Sequence, residues 1–153
     1  MDFQQLVTSA FEAFSGYEKP AHSTNHQHCG ECAEYDELLS EILRQDLSIE
    51  QIGTDCWGPI SFLTPEAMAY YMPRLIELAA SGVDGKDRDP YYIQFINSVS
   101  AGPSDRQYGL FGLAQNKAVA CGLSFIKENY YEGICAHCWE DELEKSLIDW
   151  SRR

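Results

Sequence analysis

Two Cys-x-x-Cys pairs, Cys29-Gly30-Glu31-Cys32 and Cys135-Ala136-His137-Cys138, constrain this chain more than any other feature. That spacing lets two thiolates grip one tetrahedral ion from a tight turn. The gap from Cys32 to Cys135 far exceeds the roughly 15–20 residues that separate the pairs of a compact zinc ribbon. A shared zinc site at Cys29, Cys32, Cys135 and Cys138 would therefore have to be assembled by the fold, tying the front of the chain to its back. His26 and His28 are alternate ligands, since either imidazole could replace one thiolate. The polar loop 17–29 carries three of the four histidines and reads as the segment that delivers them.

Helical periodicity dominates the remainder. Phe3, Leu6, Val7, Ala10, Phe11 and Phe14 form one apolar stripe, with Gly16 placed to end it. A second helix is expected from Gly30 to about Arg44, and Ser48 caps a short turn over 49–52. The Asp55–Pro59 stretch reads as a turn with Trp57 buried beside it. Thr64-Pro65-Glu66 is a strong helix start, with an N-cap hydroxyl, proline at the first helical position and an acid in the first turn. Pro73 should kink or restart that helix. Asp89-Pro90 opens another helix, and a long apolar one runs from Leu113 to Tyr131, stopped by Gly133. A last helix carries Trp139, Leu143, Leu147 and Trp150. Ile60–Leu63 is the best strand candidate, and it is weak. The expected fold is an all-α single domain over residues 1–153, a bundle of about six helices with a zinc-stapled end.

A net charge of −13 sets phosphates against this surface and argues against direct binding of nucleic acid. Five acids and no base lie between Lys19 and Arg44; six acids and no base lie between Lys127 and Lys145. If zinc joined those segments, Glu31, Glu34, Glu37, Glu41, Glu140, Asp141 and Glu144 would form one acidic pole, suited to a basic protein partner such as a nuclease or a nucleic-acid-binding complex. The expectation is a non-enzymatic interaction protein of the immunity or inhibitor kind. An open zinc position would instead support a metal-dependent hydrolase, and a reactive thiolate would support a thiol redox protein. Acidic neighbours oppose the redox reading, and no strand precedes either pair. Cys56 and Cys121 read as buried small hydrophobes, and His137 as solvent-facing or supporting a ligand. No catalytic motif stands out. Met1-Asp2-Phe3-Gln4-Gln5 has neither a basic nor an apolar leader region, and no stretch approaches about 18 apolar residues, so the cytoplasm is expected.

The stretches Cys29-Gly30-Glu31-Cys32-Ala33-Glu34-Tyr35-Asp36, Trp57-Gly58-Pro59-Ile60 and Thr64-Pro65-Glu66-Ala67-Met68-Ala69-Tyr70-Tyr71-Met72-Pro73-Arg74-Leu75 resemble a group of bacterial proteins of unknown function. That group reads His-x-Cys-x-Glu-Cys-x-Glu-His-Asp, then Trp-x-Pro-Ile, then Ser/Thr-Pro-Glu-x-x-x-Tyr-Tyr-x-Pro-x-Leu. The similarity covers residues 26–80. Gln27 stands where the group has its first His, and Tyr35 where it has its second; if that second His holds a metal in the group, Cys135 and Cys138 would replace it here. The resemblance implies a bacterial or phage origin and a common helical fold, and supplies no activity.

Overall fold

A computed structural model of the chain describes residues 1–152. Helix α1 (Phe3–Ala13) starts where Asp2 accepts the Gln5 N–H, and it buries the expected stripe through Leu6, Ala10 and Phe14. α2 (Gly30–Leu39) follows the His-rich loop, and α3 (Ile49–Ile52) is the short turn capped by Ser48. α4 (Pro65–Ala80) opens with the Thr64 hydroxyl accepting the Ala67 N–H at 3.1 Å. α5 (Tyr91–Val99), α6 (Leu113–Ala136) and α7 (Glu140–Ser151) complete seven helices among the described residues. No strand forms among them, only isolated bridges. The architecture is all-α.

α4 is the central rod. Its apolar residues face α1, α5 and α6 at once, so nearly every side of it is covered. Such a helix cannot be amphipathic in the surface sense and must be apolar nearly all round. α6 and α7 pack together as a helical hairpin, with the Trp150 indole donating to the Val99 carbonyl at 2.9 Å. No helix among the described residues is long and apolar enough to cross a membrane.

Local expectations fail at four places. α2 stops at Leu39 rather than Arg44, because the Tyr71 hydroxyl on α4 takes the Ile42 carbonyl at 2.5 Å and also reaches that of Leu39. That bond draws the 40–47 segment onto the core as a strap with only a 3₁₀ turn at Arg44–Asp46, held further by Arg74 Nε on the Leu47 carbonyl. Ile60–Phe62, the weak strand candidate, is a 3₁₀ turn, in keeping with the all-α expectation. α4 runs through Pro73 as one element, since burial on both sides of that residue outweighs one absent N–H. α6 kinks at Tyr130 (φ −131°, ψ 19°), one residue from the expected end at Tyr131, but Gly133 does not stop it and a second helical stretch runs on to Ala136. Gly133 serves close packing instead: a Cβ there would lie 2.1 Å from the Tyr92 hydroxyl. Trp57 is 79% exposed, contrary to the burial expected of it, because the tight turn from Gly53 to Gly58 aims the indole outward. Cys56 in the same turn is exposed as well, whereas Cys121 packs partly against the core.

Candidate metal centre

Loop 17–29 is pinned on two sides before it reaches its cysteine. Asp36, one helical turn after Cys32 on α2, accepts the N–H groups of Ser23 (2.6 Å) and Thr24 (3.3 Å) and bonds His22 Nδ1 (2.7 Å). Burial pushes the Asp36 carboxyl up, but these bonds together outweigh it and hold the group below the usual carboxylate range. Thr24 donates its hydroxyl to the Cys32 carbonyl at 2.6 Å, and the Ser23 carbonyl accepts the Thr64 N–H at the head of α4. A turn over Asn25–His28 then presents Cys29 as the N-cap of α2, in extended backbone, with its Sγ accepting the Cys32 N–H at 3.4 Å.

This arrangement gathers three donors. Ligand atoms of His28, Cys29 and Cys32 lie within 4.8 Å of one another. Cys32 Sγ is 3.7 Å from His28 Nδ1 and 3.2 Å from Cys29 Sγ. Tetrahedral zinc with bonds of about 2.3 Å to sulfur and 2.0–2.1 Å to nitrogen needs edges of roughly 3.6 and 3.8 Å. The imidazole–sulfur edge already fits, and the two sulfurs need to part by about half an ångström, a small side-chain rotation. Cys32 is buried, while His28 and Cys29 are exposed, so an ion here would sit at the surface against the helix start.

The same helix start tunes the thiols apart. The Cys29 thiol is pulled down to about 7, first by the Cys32 backbone N–H, then by the Cys32 thiol and His28. The Cys32 thiol is pushed up, first by its bond to Cys29 and then by burial. The acidic neighbours expected to suppress a thiolate act on the other groups, with Glu31 raising Cys32 and Tyr35.

A second group adjoins. His22, His26 and Asp36 also lie within 4.8 Å of one another, with the two imidazoles stacked at 3.7 Å between centroids. His26 belongs to this group and not with His28. Its members His22 and Asp36 were not singled out from the sequence. The Cys32–Asp36 spacing of one turn was visible there; the pairing of His22 with a residue 14 positions away needs the fold.

The four sulfurs expected to share one ion are not gathered into one group among the described residues. Among the described residues, neither Cys135 nor Cys138 joins a group of three close metal-binding donors. Their turn is a helix terminator: the Trp139 N–H bonds the Ile134 carbonyl, the Cys138 N–H bonds that of Cys135, and Cys138 takes the left-handed conformation (φ 60°). That is the Schellman pattern closing α6. Tyr130 donates to Ala80 at the far end of α4, whereas the Cys32 segment is tied to Thr64 at its head. A helix of 16 residues is about 24 Å long, so the two pairs flank opposite ends of the rod. His137 turns to the Gly133 carbonyl (2.7 Å) and Asp89 (3.3 Å), which together raise its pKa.

The single acidic pole separates for the same reason. Glu31, Glu34, Glu37 and Glu41 are exposed on and just after α2. Glu140, Asp141 and Glu144 begin α7 beside the other turn, and Glu144 is paired with Lys127 at 2.5 Å. No family model, curated protein or solved structure matches the chain.

Proposed function

We propose that this chain is a zinc-binding interaction protein that acts by docking rather than by catalysis, with the ion held by His28, Cys29 and Cys32. The convergence of one imidazole and two thiols at the start of α2 carries this reading. Two thiolates and a neutral imidazole leave a zinc ion formally uncharged, which suits a half-buried surface site. The docking face is the α2 side, where Glu31, Glu34, Glu37 and Glu41 are exposed on or just after α2 and Leu38 and Leu43 are 45% and 44% exposed in the same stretch of chain. Exposed leucines amid acids suit a basic partner that brings its own apolar anchor, with charge speeding the encounter and the leucines supplying buried area. A nuclease or a nucleic-acid-binding complex has that character, and an inhibitor of one would use such a face.

Metal analysis tests the site. Wild-type protein is expected to purify with one equivalent of zinc, Cys29→Ser and Cys32→Ser to lose it, and Cys135→Ser to keep it; loss in Cys135→Ser alone would overturn the assignment. For the face, capture of a basic partner should weaken with salt and with Glu34→Gln/Glu37→Gln. Salt-insensitive capture would argue against it.

A second reading is favoured by one observation, the exposed Cys29 thiol held near neutrality beside a buried Cys32. That asymmetry also serves a dithiol that cycles through a disulfide. Zinc-free purified protein whose Cys29–Cys32 pair oxidises reversibly would favour it. The fourth tetrahedral position is the basis for a metal-dependent hydrolase, which X-ray absorption would support by finding three protein ligands plus water.

A further inference from the structure

The geometry points to a second binding site, for a small organic ammonium compound, in the cavity between the 53–61 loop and α5. It is independent of the metal centre. The cavity is about 210 Å³, below the roughly 300–1,000 Å³ of clefts that take drug-sized ligands, so its ligand is small.

Its walls are built rather than incidental. Gln94 on α5 is 6% exposed and lines the cavity. The facing loop is held in one shape: Gly53 adopts φ +65°, a Cβ at Gly58 would lie 2.1 Å from the Ile52 carbonyl, and Thr54 Oγ1 accepts the Trp57 N–H at 3.1 Å.

The unspent hydrogen-bonding capacity is mostly accepting. Gln107 commits its Nε2 to the carbonyls of Ile60 (2.6 Å) and Leu63 (3.1 Å), leaving Oε1 free. Ser98 gives its proton to the Gln94 carbonyl, leaving its lone pairs. Asp55 at the rim adds a carboxylate, and no Lys, Arg or His lines the cavity. Burial raises that carboxyl above its usual range and Asp87 adds in the same direction, against an opposing effect of Asn97. A carboxylate in such surroundings is completed by a cation carrying several N–H donors. An alkylammonium group offers both, while anions are repelled by Asp55 and by the −13 charge of the chain.

Calorimetric titration of the zinc-loaded protein with diaminobutane, butanediol and calcium chloride tests this, with fluorescence of the exposed Trp57 as a second readout. Diaminobutane should bind with one-to-one stoichiometry, and butanediol about tenfold or more weakly, the ratio expected of a charge-assisted hydrogen bond. Asp55→Asn, at an exposed rim position, and Gln94→Leu should each weaken the diamine by about tenfold, and Glu34→Gln on α2 should leave it unchanged. Equal binding of the diol, tighter binding of calcium, full affinity in Asp55→Asn, or no saturable binding of the diamine would overturn the proposal.

Discussion

Replacing Gly133 by alanine sets two opposing effects against each other. Alanine is better than glycine inside a helix by about 1 kcal/mol, and residue 133 lies inside α6. The new methyl, however, would sit 2.1 Å from the Tyr92 hydroxyl oxygen. Tyr92 has little freedom to withdraw: it is 6% exposed and stacked on Tyr130 at 4.9 Å and 8°, and Tyr130 is itself bonded to the Ala80 carbonyl. Forcing extra volume into such a site costs about 1–3 kcal/mol, so the net loss should be about 1 kcal/mol, or about 2–4 °C in Tm for a chain of this size. The clash is with the hydroxyl alone, since the next ring atom lies at 3.4 Å, ordinary contact. Tyr92→Phe removes that oxygen, which makes no hydrogen bond among the described residues. The double variant Gly133→Ala/Tyr92→Phe should therefore recover the loss and end more stable than Tyr92→Phe by up to about 1 kcal/mol. Thermal and urea unfolding of the four proteins completes the cycle. A Gly133→Ala protein more stable than wild type, or a double variant no better than Gly133→Ala, would refute the reasoning.

Stripping metal with a chelator should leave Cys29 reacting with iodoacetamide before Cys32, with a half-maximal rate near pH 7, and readdition of zinc should protect both. Tyr71 is pushed up to about 12, chiefly by burial, so the fold favours its neutral form. That contribution is complete below the unfolded value of about 10 and is lost as pH rises through the folded value; Tyr71→Phe, followed by circular dichroism, should flatten this alkaline loss. Trp150→Phe should cost about 1–3 kcal/mol in urea unfolding, because the smaller ring underfills a fully buried site and the Val99 carbonyl keeps only the Gly102 N–H of its two donors.

The helices that read clearly from sequence are those whose signals are local. The stripe from Phe3 to Phe14 and the Thr64-Pro65-Glu66 start depend on spacing and capping, which the chain carries within a few residues. The end of α2 was not legible, because a hydroxyl from α4 decides it. The Cys135–Cys138 spacing misled for a physical reason: a step of three residues suits both a metal knuckle and the turn that closes a helix. Placing the helix end at Gly133 hid the second possibility. Cys29, Cys32 and His28 were legible as ligand types, and their company was not. The His22–Asp36 contact bridges a loop and a helix, so no periodicity announces it.

Because a sulfur caps α2, the helix and the candidate metal grip share one atom. The start of α2 is then already ordered when an ion arrives, and capture requires little rearrangement of the backbone. Serine at position 29 would keep a competent cap while discarding the soft donor, whereas alanine would discard both. Comparing those two replacements separates the architectural duty of the residue from its chemical one.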